Sequence, residues 1–135
     1  MKHIALAKGI DIPIDVATQK LAFIGRSSSG KTYAATKLAE ELLRADIQSI
    51  VLDPVGVWHG LRSSSDGKGK GFSMPVFGGE GGDIPLLPSS GELIAKVIIE
   101  KGISAVLDVS YMRKTERKEF VTAFAETFFF LKKKN

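Results

Sequence analysis

Cysteine is absent from the 135-residue chain, which excludes disulfide frameworks, thiolate metal sites and cysteine nucleophiles and fits a reducing compartment. Long apolar runs are absent as well. No stretch approaches the ~20 residues of a membrane span. The opening MKHIALAKGIDIPID scatters charges where a signal peptide would need an apolar core. A soluble, cytoplasmic protein with no membrane partner is the expectation. His59 has no second ligand at metal spacing, so zinc chemistry has no foothold. No internal repeat is evident.

What is present is ordinary globular usage, 44% apolar and 25% charged, so the chain should fold rather than stay disordered. Its length suits about one domain. The net charge of +4 is compatible with a polyanionic partner, nucleic acid or nucleotide phosphates. Lys101, Lys132, Lys133 and Lys134 fall near predicted helix ends, however, where cations complement the helix dipole without any ligand.

Hydrophobic spacing predicts the order of elements. After a lead-in over 1–20, LAFIG (21–25) reads as a buried strand, and in KTYAATKLAEELLRA (31–45) Ala35, Leu38, Ala39 and Leu42 share one helical face. SIVLD (49–53) is a second strand, giving βαβ order over 21–53 and a parallel pair. Residues 54–88 hold nine of the fourteen glycines, with MPVF as their one strand-like piece. They read as a long surface excursion whose clusters GKGKGF (67–72) and GGEGGD (78–83) are mobile loops rather than anion nests. Over 89–135 the pattern is helix, strand, helix. Ser89 and Glu92 spell a capping box, a helix ends at Gly102, ISAVLD is the third strand, and Phe120, Phe124, Phe128 and Leu131 mark a last helix. That helix still runs at FFFLKKKN, which suggests either an incomplete domain or a frayed basic end.

Between the first predicted strand and helix stands GRSSSGKT (25–32), which satisfies G-x-x-x-x-G-K-[ST]. Gly25 lets the chain leave the strand sharply, and Gly30 admits close approach of phosphate oxygens. The amides of residues 28–32, including those of Ser28 and Ser29, can converge on an anion where a helix dipole already favours one. Lys31 would reach the β and γ phosphates and is the candidate catalytic residue. Thr32 would give its hydroxyl to Mg²⁺. Tyr33 follows within the nucleotide-binding stretch, too long for that metal contact. ATP and Mg²⁺ are the expected cofactors.

Taken with VLDPVGVWHGLRS (51–63), FGGEGGDIPL (77–86) and AVLDVS (105–110), the loop gives a sequence that resembles HerA-type P-loop ATPases of the FtsK–HerA branch over about residues 10–131. The resemblance implies an α/β, P-loop NTPase-like fold with a mainly parallel sheet flanked by helices. It also implies a homo-oligomeric ring, a hexamer when complete, that couples ATP hydrolysis to moving DNA, with a nuclease as a further partner. Gly25, Ser29, Gly30, Lys31 and Thr32 match the family's nucleotide loop, while Ser28 replaces an expected glycine. The family's Asp-x-Ser strand matches LDVS, so Asp108 is either a Mg²⁺-shell residue or the cap of the turn after its strand. Val109, not a glutamate, follows Asp108, so the resemblance places LDVS on the strand before the family's Walker B strand, which would come only after the last helix; with no Walker B glutamate or arginine finger assignable, the chain is expected to bind ATP and hydrolyse it poorly. Asp53, before Pro54, has the same two readings, metal shell or turn chemistry, with turn chemistry the one expected, and Trp58 either stacks on a partner group or packs locally.

Two further functions fit parts of the sequence. A small P-loop kinase would use the glycine-rich excursion as a lid, yet 54–88 contains a single arginine, Arg62, with Lys68 and Lys70. A non-catalytic nucleic-acid-binding module would draw on the positive charge alone and bind with steep salt dependence.

Overall fold

A computed structural model describes residues 2–63 and 67–134, which divide into two compact units, 1–49 and 50–135.

In the first unit, β1 (His3–Ala7) and β2 (Ile10–Pro13) form an antiparallel hairpin turned by Gly9 at φ 78°. Ile4 is buried beneath it. Helix α1 (Lys31–Arg44) lies against β1 where a helix is expected, but none of its residues is buried, and Ala35, Leu38, Ala39 and Leu42 are only partly covered. Its polar side is laced by Lys37 to Glu41 at 2.7 Å and by Arg44 to Glu41, and the Lys37 hydrogen bond holds the Glu41 carboxyl below the usual range. Left-handed Asp46 (φ 57°) ends the helix, with Asp46 N–H donating to Leu43 O and Ile47 N–H to Leu42 O, the paired bonds that satisfy otherwise orphaned carbonyls.

The strand expected at Leu21–Gly25 does not form: these residues carry no regular structure and belong to neither sheet. Leu21 is about half exposed and Ile24 is 93% exposed. An apolar run becomes a strand only when a neighbour accepts its backbone bonds and covers one face; among the described residues none pairs with this run, and of its large side chains only Phe23 is partly covered. The βαβ unit over 21–53 is therefore not realised.

The second unit holds a three-stranded parallel sheet. Strand β3 (Ile50–Asp53) and strand β4 (Val76–Phe77) both pair with β5 (Ala105–Asp108), which lies between them. All four residues of β5 are buried, as a parallel strand with neighbours on both edges requires. The crossover from β4 to β5 is helix α2 (Gly91–Lys101), stopped by left-handed Gly102 at φ 60°. Helix α3 (Lys114–Lys134) packs along it. The chain is thus α/β, with a parallel sheet flanked by helices.

The core joins Phe77 and Leu107 of the sheet to Ile94 and Ile98 of α2 and Phe120 of α3. Burying Phe120 completely contributes roughly 2–3 kcal/mol. The predicted phenylalanine stripe is real: Phe120 stacks on Phe124 at 6.0 Å, and Phe124 on Phe128 at 5.5 Å. Phe129 and Phe130 lie exposed; Lys134 covers the Phe130 ring at 4.5 Å, and Lys132 covers the ring of Phe128, the last of the stripe, at 5.8 Å. Asn135 lies outside the described residues.

The capping box expected at Ser89 and Glu92 is not formed. A single 3₁₀ turn, Pro88–Ser90, moves the start of α2 to Gly91, and Glu92 pairs with Lys96 at 2.6 Å instead. Half of such a box occurs at α3, where Arg113 N–H donates to Glu116 Oε2 at 2.7 Å.

Candidate functional site

The loop 25–30 enters α1 through two left-handed residues, Ser28 at φ 61° and Gly30 at φ 91°. Alternation of right- and left-handed backbone turns successive N–H groups toward one side, the geometry of an anion nest. Ser29 closes the turn, its N–H at 3.2 Å and its Oγ at 2.6 Å from Arg26 O. A Cβ at Gly25 would stand 2.5 Å from Ser29 Oγ, so a larger residue there would make the serine hydroxyl turn away from Arg26 O. A Cβ at Gly30 would meet nothing within 4 Å, so the mouth of the loop is open to a ligand.

Helix α1 begins at Lys31, and its first amides have no intrahelical acceptor. Among the described residues none accepts from the amides of Gly30, Lys31, Thr32 or Tyr33. The Lys31 side chain folds back over the loop, its Nζ donating to Gly25 O at 2.5 Å and Arg26 O at 2.9 Å. Free amides and a helix dipole beside an ammonium on one turn could hold an anion such as a phosphate. Thr32 is exposed, its hydroxyl accessible to a metal bound with that tail, and Tyr33 is 76% exposed one residue further on.

The second unit presents its own constellation at the carboxyl end of its sheet. Asp53 and Asp108 end β3 and β5 as partners in register, and both are buried. Asp53 is saturated: Oδ1 accepts from the amides of Val55 at 2.9 Å and Gly56 at 2.8 Å, and Oδ2 from Trp58 at 2.9 Å. That is the turn chemistry expected of it. It also fixes the 3₁₀ turn Trp58–Arg62, in which Trp58 is half-buried.

Asp108 Oδ1 accepts from Ser110 N–H at 2.9 Å, which caps the turn after β5. Its other oxygen lies beside Gly79, where any Cβ would overlap it. Glycine is needed at 79 twice over, for φ 68° and for this approach.

Residues 78–83 depart from the loose loop expected of them. Asp83 N–H donates to Val76 O at 2.8 Å and Gly78 N–H to Ile84 O at 2.7 Å. Arg62 grips both oxygens of Asp83 at 2.7 and 2.6 Å, and that hydrogen bond holds the Asp83 carboxyl below its ordinary range. Between this loop and the turn 108–112 lies a pocket of about 430 Å³. Tyr111 stands at its rim, 3.4 Å from Glu80 Oε2; the Glu80 charge pushes the phenol's pKa up, with a smaller contribution from Asp108. Sequence reading finds Asp108 but not Glu80 or Tyr111, and the doubled glycines around Glu80 in GGEGGD are the one local hint of a tight approach.

No known protein family, no curated protein and no solved structure matches the chain. Among the described residues no group of three or more histidines and acids could hold a metal by itself, and no helix is long and apolar enough to cross a membrane.

Proposed function

We propose that residues 25–33 bind the triphosphate of ATP together with Mg²⁺, as the nucleotide-binding portion of a HerA-like, P-loop ATPase that acts on DNA. The observation that carries this reading is the loop itself. Left-handed Ser28 and Gly30 lead into a 14-residue helix whose opening amides have no acceptor, with the Lys31 ammonium folded across the turn.

In this reading the amides of 28–32 orient the phosphates, and Lys31 exchanges its two carbonyls for the β and γ oxygens, where its charge offsets what develops during phosphoryl transfer. Thr32 would offer its hydroxyl to the metal, which would supply charge neutralisation at the phosphates. With Val109 after Asp108 rather than a glutamate, the chain binds ATP and turns it over slowly. Assembly into a hexameric ring, a nuclease partner and a cytoplasmic location belong to the same reading and rest on the resemblance alone.

A kinase lid is disfavoured because Arg62, the single arginine of 54–88, is engaged by Asp83.

Titration calorimetry with ATP and Mg²⁺ tests the proposal. The wild-type chain should give saturable heat, and Lys31→Ala should abolish it with the circular dichroism of α1 preserved. An affinity untouched by Lys31→Ala sinks the reading. DNA affinity that falls steeply with salt yet survives Lys31→Ala, with no ATP heat, would replace it with the nucleic-acid module.

A further inference from the structure

Helix α3 ends in a combination of side chains that neither the core nor the nucleotide reading uses. Its inner stripe, Phe120, Phe124 and Phe128, packs into the core of the second unit and holds the helix in place. The next two residues face solvent, Phe129 72% and Phe130 58% exposed. Lys132, Lys133 and Lys134 follow in the last turn, all exposed, and no acid stands between Thr127 and Lys134. The helix dipole does not account for so much charge. It places about half a negative charge at a C-terminus, against three ammonium groups gathered there. The surplus lies beside the exposed rings, with the Lys134 ammonium 4.5 Å from the Phe130 centroid.

A partner at this end has to match two aromatic faces and a local positive charge. Consecutive helical residues point about 100° apart, so the two rings splay and each offers its own face. A bilayer is a poor match. An interfacial helix needs a broad apolar face, whereas the exposed side of α3 before Phe129 is polar, with Thr115, Lys118, Glu119, Thr122 and Glu126. Duplex DNA keeps its bases stacked on one another and would meet the lysines alone. A single strand satisfies both features, since its phosphates complement the lysines while its unpaired bases lie on the rings.

We propose that the end of α3 is a docking surface for single-stranded DNA, with Phe129 and Phe130 as stacking platforms and Lys132, Lys133 and Lys134 as phosphate contacts. The surface includes none of residues 25–33, and it rests on the DNA part of the functional reading for its occupant being DNA rather than RNA.

Fluorescence anisotropy of the 135-residue chain with labelled oligo(dT) of about twelve nucleotides tests this, beside an abasic strand, a duplex and oligo(U) of the same length. Oligo(dT) should bind with an affinity that falls as salt rises, and the abasic strand should bind about tenfold more weakly. Phe129→Ala and Phe130→Ala should each weaken oligo(dT) about tenfold while leaving the abasic strand unchanged, because only stacking is removed. Lys133→Gln and Lys134→Gln should each lower the slope of log affinity against log salt by about 0.7. These side chains are exposed, and circular dichroism of α3 checks that the variants fold. If one does not, the wild-type comparison of oligo(dT) with the abasic strand carries the test. The proposal is overturned by no binding of oligo(dT), by equal affinity for the abasic strand, or by affinities indifferent to Phe129→Ala and Phe130→Ala. Tighter binding of the duplex or of oligo(U), or displacement of oligo(dT) by phosphatidylglycerol vesicles at lower concentration, overturns it as well. ATP heat is read through Lys31 and strand affinity through Phe129 and Phe130, so either proposal can fail without the other.

Discussion

Asp53 and Asp108 stand opposite one another in the parallel register of β3 and β5, yet Asp53 gathers three backbone amides and Asp108 one. Asp53→Ala would strip the amides of Val55, Gly56 and Trp58 of their acceptor at once. The expected loss is about 3 kcal/mol or more, since each bond to a charged acceptor contributes about 1.5–3 kcal/mol and a deserted buried amide adds a penalty. Asp53→Asn, with one accepting oxygen, should fall between. Urea unfolding followed by circular dichroism measures this, and a midpoint equal to wild type for Asp53→Ala would contradict the assignment.

Gly79 and Gly9 separate two costs of replacing glycine. Both have left-handed backbone, at φ 68° and 78°, but a Cβ at Gly9 meets nothing within 4 Å whereas one at Gly79 overlaps the Asp108 carboxylate. Gly9→Ala should cost about 1–2 kcal/mol from backbone strain. Gly79→Ala should cost distinctly more, since the collision adds to the same strain, and comparable midpoints for the two variants would deny the close approach.

The Arg62–Asp83 pair should reveal itself through pH. Arg62 lowers the folded-state pKa of Asp83, so the stabilisation is fully present above the unfolded value of about 3.9 and disappears as pH falls through the lower folded value. Wild type should exceed Arg62→Ala by a few degrees in Tm at neutral pH, and the gap should close in strong acid. Both side chains are over a third exposed or close to it, so added salt should shrink the gap too. A gap indifferent to pH and salt would mean that Arg62 acts through packing.

Ser28 holds a left-handed conformation that glycine adopts without strain. Ser28→Gly should leave stability within about 1 kcal/mol of wild type, with any gain reflecting the relieved Cβ clash. In calorimetry it should retain ATP·Mg²⁺ binding, because the loop's backbone is what the phosphates would meet. Loss of binding in a folded Ser28→Gly would instead make the serine hydroxyl a ligand.

The helices, β3 and β5 were legible because each is an apolar pattern with its own stop: Pro54 after Asp53, Gly102 after Lys101. The turn leading into α1 was legible because GRSSSGKT stands in one short stretch directly before the helical spacing begins. Leu21–Gly25 shows the limit of such reading, since an apolar run says nothing about whether a neighbour accepts its backbone. Ser89 and Glu92 show another: the Pro88–Ser90 turn shifts the helix start and carries Glu92 to Lys96. The pocket was hidden for a third reason. It exists only because β4 and β5 lie side by side, which brings residues 78–86 to 108–112 across the intervening α2.

The central position of β5 also bears on how the chain is made. During synthesis β3 emerges more than fifty residues ahead of the partner it needs, and β4 almost thirty ahead. Neither pairs with the other, so a nascent chain halted before Ala105 carries two unmatched strands and their apolar side chains on the ribosome. The β1–β2 hairpin and α1 rely on nearer contacts and are free to form while the second unit is still being translated.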